Sequence, residues 1–460
     1  MAVRFLHLAD LHLGSRHEYL GNEAGPRSLE VMETFRQAVN VALDPERGID
    51  GVLISGNLFD RHEPDPETLS FARGLLGRLV AHKKPVVIVP GYRDAAGYRD
   101  SVYRTERWPG VDVITSTLPH PLKHTIRGQE VFFYGSAAQP GTAPERFPGF
   151  ERQLPEIHGD ASHESKELGL GDPPEDLLVG NGHGLMAAHI ADPGLHVGLL
   201  CAELPGHEEA GARPFTQTVD PAAIAGSELD YIALGGYHGF ATYEFEGTAA
   251  AYPGTLAGRR FERGDAGRKS LLVVNIEQSN VAFTRVPVNA AHLEEWTIDL
   301  LSERITDPDG LCAAILARAA SNIIARIKLV GPLEFICDLE KIATKVRGRF
   351  RHLELVDRTD LVRSGLLRRI QGEHTIRGFF ARRMLKHIAD LEDRALTAGS
   401  DSPVHRELTV ARAALKVGLE QFLDEEHARD ILYKPPADRQ GTSAPSADED
   451  MPEATAQEGA

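Results

Sequence analysis

A chain of 460 residues, 42% hydrophobic and 25% charged, has room for two or three domains and a sizeable buried core, and its composition is ordinary for a soluble globular protein. A formal net charge of −17 excludes a surface that is basic all over, though it leaves room for a local basic groove or for a metal ion where phosphate binds. Three cysteines, Cys201, Cys312 and Cys337, have no metal-like spacing and argue against a disulfide framework; with no charged leader and no apolar run of about 18 residues, the chain reads as cytoplasmic and free of the membrane.

The first 290 residues alternate strands and helices. VRFLHL is a buried strand, and Met32, Phe35, Val39 and Leu43 then recur at helical spacing. GVLIS, a helix near 66–82, and VVIV follow. This βαβαβ order predicts a parallel sheet with helices on its faces. Further strands are expected at VFFY, HVGLL, DYIAL, LLVVNI and VAFTRVPV. The late ones lack intervening helices and are expected to form an antiparallel half. The stretch 136–194, rich in Gly, Pro, His and Asp, reads as a surface insertion. From 291 a helix at 309–321, the strand ARIKLV, a helix near 333–346 and the strand HLELVD suggest a small α+β unit. Helical segments at about 360–396 and 403–424 come next. The last 26 residues, from Pro435, carry almost no large apolar side chains and are expected to be disordered.

Polar residues cluster where the early strands end, the place where open α/β sheets bind ligands. The first strand runs into Asp10 and His12, the second into Ser55, Asn57 and Asp60, the third into PGYRD with Tyr92, Arg93 and Asp94. HVGLL runs into Cys201 and DYIAL into GGYH, ending at His238. Asp, His and Asn supply oxygen and nitrogen ligands suited to manganese, iron or zinc. One Asp-x-His is weak, because turns capped by Asp are common; several such turns at successive strand ends point to a metal site.

Asp10-x-His12, the GNLFD turn, the PG-x-x-D turn and the final G-x-x-H resemble the calcineurin-like metallophosphoesterases. RFLHLADLHLG, LISGNLFD, DYIALGGYH and AYPGTL follow the wording of the SbcD/YhaO-type DNA repair exonuclease subunits. The resemblance covers roughly residues 3–290, and more loosely the stretch to about 395. It implies a sandwich of mixed sheets flanked by helices, with a smaller α+β cap domain and C-terminal helices. The boundaries expected are 1–290, 291–396, 397–434 for a partner-docking segment, and 435–460 for the tail. It also implies a two-metal site, and here this chain departs from the pattern. Asp10, His12 and His238 match ligands of one metal. Asn57 stands at the bridging aspartate. Tyr92, Cys201 and Gly236 stand where the second metal's own ligands belong, and Arg93 replaces a catalytic histidine. The expectation is one divalent metal, manganese, on Asp10, His12, Asn57 and His238, with the second metal position lost. Cys201 is left as a thiolate candidate. Arg93 cannot act as a general acid near neutral pH. It can stand in for the second metal's charge, paired with Asp60, Asp94 or Asp10, or bind a phosphate oxygen; Arg93 and Asp94 are the catalytic candidates.

Two further readings concern partners. LVRSGLLRRIQGEHTIRGFFARRMLKHI is basic within an acidic chain, with Arg363, Arg368, Arg369, Arg377, Arg382, Arg383 and Lys386 among apolar residues at helical spacing. It reads as an amphipathic helix with a solvated basic face, or as a nucleic-acid or partner contact. The next helix places Leu408, Ala411, Leu415 and Leu419 on one stripe, either packed within the chain or docked on the coiled-coil base of an SMC-type ATPase of the SbcC/YhaN kind, as the resemblance implies. DNA is the other expected partner, and a homodimer is expected as well. His7 is expected in the core, and His17 and His62 in exposed loops. The leading function is a catalytically degenerate exonuclease-family subunit acting with such an ATPase in DNA end processing. The alternatives are a one-metal phosphodiesterase or phosphatase, and a non-catalytic protein that binds phosphate or a nucleotide.

Overall fold

A computed structural model of the chain describes residues 2–118, 120–137, 146–147, 149–150, 194–206, 217–262, 264–277, 280–288, 290–335, 338–361, 364–398 and 402–432. Most of the 136–194 insertion, Arg363, Cys337 and the tail from Pro435 lie outside the described residues. The fold is α/β, with two mixed six-stranded sheets flanked by helices. In the first sheet Val3–Leu8, Gly51–Ser55, Val86–Val89 and Asp112–Val113 pair in parallel, and Ser270–Glu277 and Asn280–Pro287 add antiparallel strands on the other edge. The late pair is thus antiparallel, as its missing helices predict. Gly194–Cys201 and Tyr231–Gly235 behave differently. They pair in parallel with each other, and Gly194–Cys201 also pairs in parallel with Gln129–Ser136, in a second sheet. The connection between the first two runs some thirty residues and carries the helix Pro221–Ala225, long enough for a parallel crossover.

The two sheets bury alternate residues against each other. Val3, Phe5, Leu53, Val87 and Val89 meet Val131, Phe133, Val197, Leu199 and Tyr231. The opposite face of the first sheet, with Leu6, Leu8, Val52 and Ile54, is covered by Val31, Phe35, Val39, Leu76 and Leu79 of the helices Ala24–Leu43 and Pro66–Ala81. Strands buried on both faces explain the continuous apolar runs in the sequence. The second of these helices starts where it does because Asp65 accepts hydrogen bonds from the Thr68 backbone N (2.9 Å) and hydroxyl (2.7 Å), with Pro66 at the first helical position. His7 is fully buried and its Nδ1 lies 2.8 Å from the Tyr231 hydroxyl, the core histidine expected.

A three-stranded sheet of His292–Asp299, Ile323–Pro332 and His352–Asp360 follows, with helices Pro308–Leu316 and Leu339–Val346. By its internal contacts the chain divides into two units, one of residues 1–305, 309–330 and 339–358, the other of 306–308, 331–338 and 359–460. The second unit contains the helices Gly365–Gln371, Ile376–Thr397 and Pro403–Leu432. Among the described residues no helix is long and apolar enough to cross a membrane. Leu415 and Leu419 are fully buried, as are Ala381, Ile388 and Leu391 on the neighbouring helix to within 1%. The apolar stripe is therefore spent inside the chain. Gly418 leaves room for a ring of the neighbouring helix: an added Cβ there would stand 2.3 Å from the Phe380 ring. Gly418→Ala should cost about 1–2 kcal/mol through overpacking, read as faster amide exchange along 376–397 with the rest of the chain unchanged.

Candidate metal centre

The loops after the first two strands run side by side. Asp10 N donates to Gly56 O (3.1 Å), His12 N to Asn57 O (2.9 Å) and Leu13 N to Leu58 O (2.9 Å). Asp10, His12 and Asn57 all sit in the left-handed region, with φ of 52°, 50° and 48°, a conformation that persists in non-glycine residues only where the surroundings over-determine it. The second sheet then brings GGYH to the same place. Gly235 cannot be another residue, because a Cβ there would lie 1.5 Å from Ser55 O. Gly236 follows with φ of 103° and donates its N–H to Asp10 Oδ2 (2.9 Å).

These turns bring Asp10, His12 and His238 together, all buried, with one ligand atom from each within 4.8 Å of the others. His12 Nε2 and His238 Nε2 are 3.2 Å apart, and His12 Nε2 is 4.0 Å from Asp10 Oδ1. Carboxylates stand behind both rings. Asp265 Oδ1 is hydrogen-bonded to His238 Nδ1 at 3.1 Å, and Asp60 Oδ1 lies 3.3 Å from His12 Nδ1, within ion-pair range but outside hydrogen-bond alignment. An ionised carboxylate only accepts, so Nδ1 of His238 carries a proton. Two ring nitrogens and a carboxylate oxygen facing one another fit a cation, and a carboxylate behind a ligating histidine is a recurrent support for metals. Burial, followed by the Arg259 charge, holds the His12 pKa well below its ordinary value. Burial also pulls on His238, but the charge and hydrogen bond of Asp265 and the charge of Asp10 outweigh it and raise that pKa.

The other half of the site has a different character. Asn57 Nδ2 donates to Asp10 Oδ1 (2.7 Å), while its Oδ1 accepts from the backbone N of Arg93 (3.1 Å). A backbone N–H can only donate, so the amide oxygen faces Arg93 and the NH₂ faces Asp10. To ligate a metal beside Asp10 the amide would have to turn over and give up the Arg93 bond. Cys201 does not reach the group of three. Burial, then the charges of Asp10 and Asp94, pushes its pKa well above the ordinary thiol value. Without a metal beside it, the thiol keeps its proton. It stands against Gly56, where an added Cβ would meet Sγ at 2.4 Å, and near Gly236 at 3.6 Å. Among the described residues no second group of three metal-ligating side chains exists.

Arg93 pairs with Asp60 (3.2 Å); the alternatives of Asp94 and Asp10 are not taken up. Asp94 is buried and holds its own turn, accepting from Gly91 N (2.7 Å), Phe59 N (3.1 Å) and the Tyr103 hydroxyl (2.8 Å). Burial outweighs these donors and raises its pKa to about 6. His17 is buried rather than exposed, with Nε2 3.1 Å from the Ser15 hydroxyl; burial and the charges of Arg27 and Arg259 lower its pKa to about 4. His62 is half-buried, 3.3 Å from Asp100 and stacked on Tyr98 at 4.2 Å. Three contributors escape the sequence reading: Asp265 behind His238, Thr255, whose hydroxyl donates to Asp10 O (2.8 Å), and Arg259, 3.0 Å from Asp60. Thr255 lies inside AYPGTL, while Arg259 and Asp265 lie in the run LAGRRFERGD, whose glycines and charges have the look of a solvated loop.

No family model matches the chain. Over 144 residues it is 27% identical to the DNA double-strand break repair protein Mre11 of Sulfurisphaera tokodaii, which covers 31% of this chain and 35% of that protein. Over 130 residues it is 28% identical to the Mre11 of Saccharolobus solfataricus, covering 28% and 32%. Over 101 residues it is 29% identical to that of Sulfolobus acidocaldarius, covering 22% and 25%. The chain thus spans about a third or less of the length of the curated relatives it matches. These partial likenesses, with the mixed-sheet fold and the Asp10, His12 and His238 cluster, support the calcineurin-like metallophosphoesterase superfamily.

Proposed function

We propose that the chain is a metallophosphoesterase of the DNA repair nuclease kind, related to the SbcD/YhaO-type subunits, that holds one divalent metal and has lost the second. Asp10, His12 and His238 hold the metal, and manganese suits this oxygen and nitrogen set. The observation that carries the reading is the one-sidedness of the site. Three buried ligands with carboxylate support stand on one side; a neutral thiol, a glycine and a donor amide stand on the other. A divalent ion in the first position would polarise a phosphoryl oxygen, but a clamp on both attacking and leaving oxygens takes two metals. Arg93 is permanently cationic and cannot deliver the proton of a general acid. Asp94 spends its carboxylate on three donors of its own turn. The chain's role is then that of a degenerate subunit, binding DNA and an SMC-type ATPase of the SbcC/YhaN kind in DNA end processing.

Elemental analysis after gentle dialysis, paired with a manganese-dependent assay on DNA ends, tests this. One equivalent of metal and cleavage at least a hundredfold below a two-metal nuclease are expected. Two equivalents that vanish together in Asp10→Ala would overturn it. So would rapid cleavage abolished by the same change. The intact first half, with the cation of Arg93 beside it, favours a one-metal phosphodiesterase or phosphatase as the second reading; turnover of a generic phosphodiester with manganese would support that instead.

A further inference from the structure

More donors face Asp60 than one carboxylate can fill. Its Oδ1 alone receives Arg259 at 3.0 Å, Arg93 at 3.2 Å and His12 Nδ1 at 3.3 Å. Each guanidinium has five N–H donors. Among the described residues neither arginine forms an ion pair with any other acid. Nε of Arg93 is buried and without a partner, and the Arg259 side chain is only 11% exposed. The nearby acids are engaged elsewhere: Asp10 with Asn57 and Gly236, Asp265 with His238, Asp94 with its turn. Two guanidinium forks share one carboxylate, which cannot fill the donors of both, and Nε of Arg93 is one that it leaves over. A metal on the far side of the His12 ring would add further positive charge beside them.

We propose that Arg93 and Arg259 form an anion clamp beside Asp10, His12 and His238 that takes a phosphate monoester, whose terminal oxygens join Asp60 as acceptors. Such a group carries a charge of about −1.5 to −2 near pH 7, and its oxygens match the forked donors of guanidinium. The clamp is open at one end only. Arg93 is 37% exposed and Arg259 is enclosed, so an anion reaches the pair from the Arg93 side; a monoester brings three terminal oxygens and the higher charge to the two forks, a diester only two oxygens and a single charge. This deepens the phosphoester reading above and rests on it for the class of anion; the clamp itself needs no metal.

The test uses the full chain stripped of metal with a chelator, titrated calorimetrically with inorganic phosphate, phenyl phosphate and diphenyl phosphate. The first two are expected to bind and the diester to bind at least tenfold more weakly. Arg93→Ala should weaken phosphate tenfold or more, Arg93→Lys should keep part of the affinity, and the surface control Arg73→Ala should change nothing. A short DNA with a 5′-phosphate, set against the same DNA without it, separates the sources. A tenfold preference supports a DNA end as the ligand, and equal affinity alongside tight phenyl phosphate supports a small monoester. The proposal is overturned if Arg93→Ala binds phosphate as the native chain does, or if diphenyl phosphate matches phenyl phosphate. Because Arg259 is enclosed, Arg259→Lys is added only with its folding checked by circular dichroism, and Arg93→Ala decides alone if it unfolds. Metal content of the same batch, before chelation, separates the two readings: a batch that holds no metal before chelation yet binds phosphate keeps the clamp and sinks the one-metal site.

Discussion

Asn57→Asp should make the stability of this chain depend on divalent metal. In the native protein Asn57 Nδ2 donates to Asp10 Oδ1 at 2.7 Å, with both residues fully buried. The substitution replaces a donor with an acceptor of like charge at that distance. It removes a charge-assisted hydrogen bond, about 1.5–3 kcal/mol, and sets two carboxylates against each other, roughly 6 kcal/mol as an upper figure at an effective dielectric of 20. Partial protonation of the pair will relieve some of this. A net loss of about 2–4 kcal/mol in the metal-free variant is expected, or about 3–6 °C in melting temperature for a unit of this size. Manganese should restore it, because a cation bridging the two carboxylates turns repulsion into ligation. The variant should still bind one equivalent. A second metal lacks its own ligands at Tyr92, Cys201 and Gly236, and histidine at 236 would have to adopt φ of 103°, while a larger residue at 201 would press on Gly56, already tight against Sγ. Melting curves with and without manganese check the claim. A metal-free variant as stable as the native chain would show that Asp10 and residue 57 do not face each other as described.

Truncation after Ala398 should collapse the second unit rather than merely detach a docking segment. The cut removes the fully buried Leu415 and Leu419 and uncovers Ile388 and Leu391 on the helix that remains, at about 1.5–3 kcal/mol for each large side chain, or roughly 3–6 kcal/mol from these last two alone. Aggregation and loss of helical signal are expected. Partner binding is better tested on the face that remains exposed. Ile376 and Phe379 are 74% and 58% exposed; Arg383 and Lys386 continue the same stripe at helical spacing and are exposed. The neighbouring basic residues are partly spent. Arg377 pairs with Glu373 (2.7 Å), and Arg382 donates to Gln371 O (2.6 Å) and Glu373 O (2.9 Å), fastening the helix Gly365–Gln371 to the next one. If an SMC-type ATPase docks here, Phe379→Asp should reduce its co-purification at least tenfold with the helical signal unchanged. Undiminished capture by Phe379→Asp with Arg383→Glu would exclude this face.

The alternation of strands and helices, the apolar runs of doubly buried strands and the polar strand ends were legible in the sequence because each depends on local spacing. Asp10, His12 and His238 lie where strands end, and strand ends gather on one edge of a sheet; other polar residues share that place, and the motif resemblance singled out these three. Other features depend on which segments meet in space. The parallel pairing of Gly194–Cys201 with Tyr231–Gly235 belongs to a second sheet, and a crossover through 202–230 carries no periodic mark of its partner. The charge of Cys201 follows from burial beside Asp10, and the orientation of Asn57 from one backbone N–H of Arg93. The sequence alone determined the alternating α/β class and the polar strand ends, through periodicity and residue type, and the motif resemblance picked out the three residues that can share a metal. Only the tertiary structure decided that Asp265 and Asp60 stand behind the two imidazoles and that Arg259 joins Arg93 on one carboxylate, because burial and contact between distant loops set the partners of a charge, and neither is written in the residues beside it.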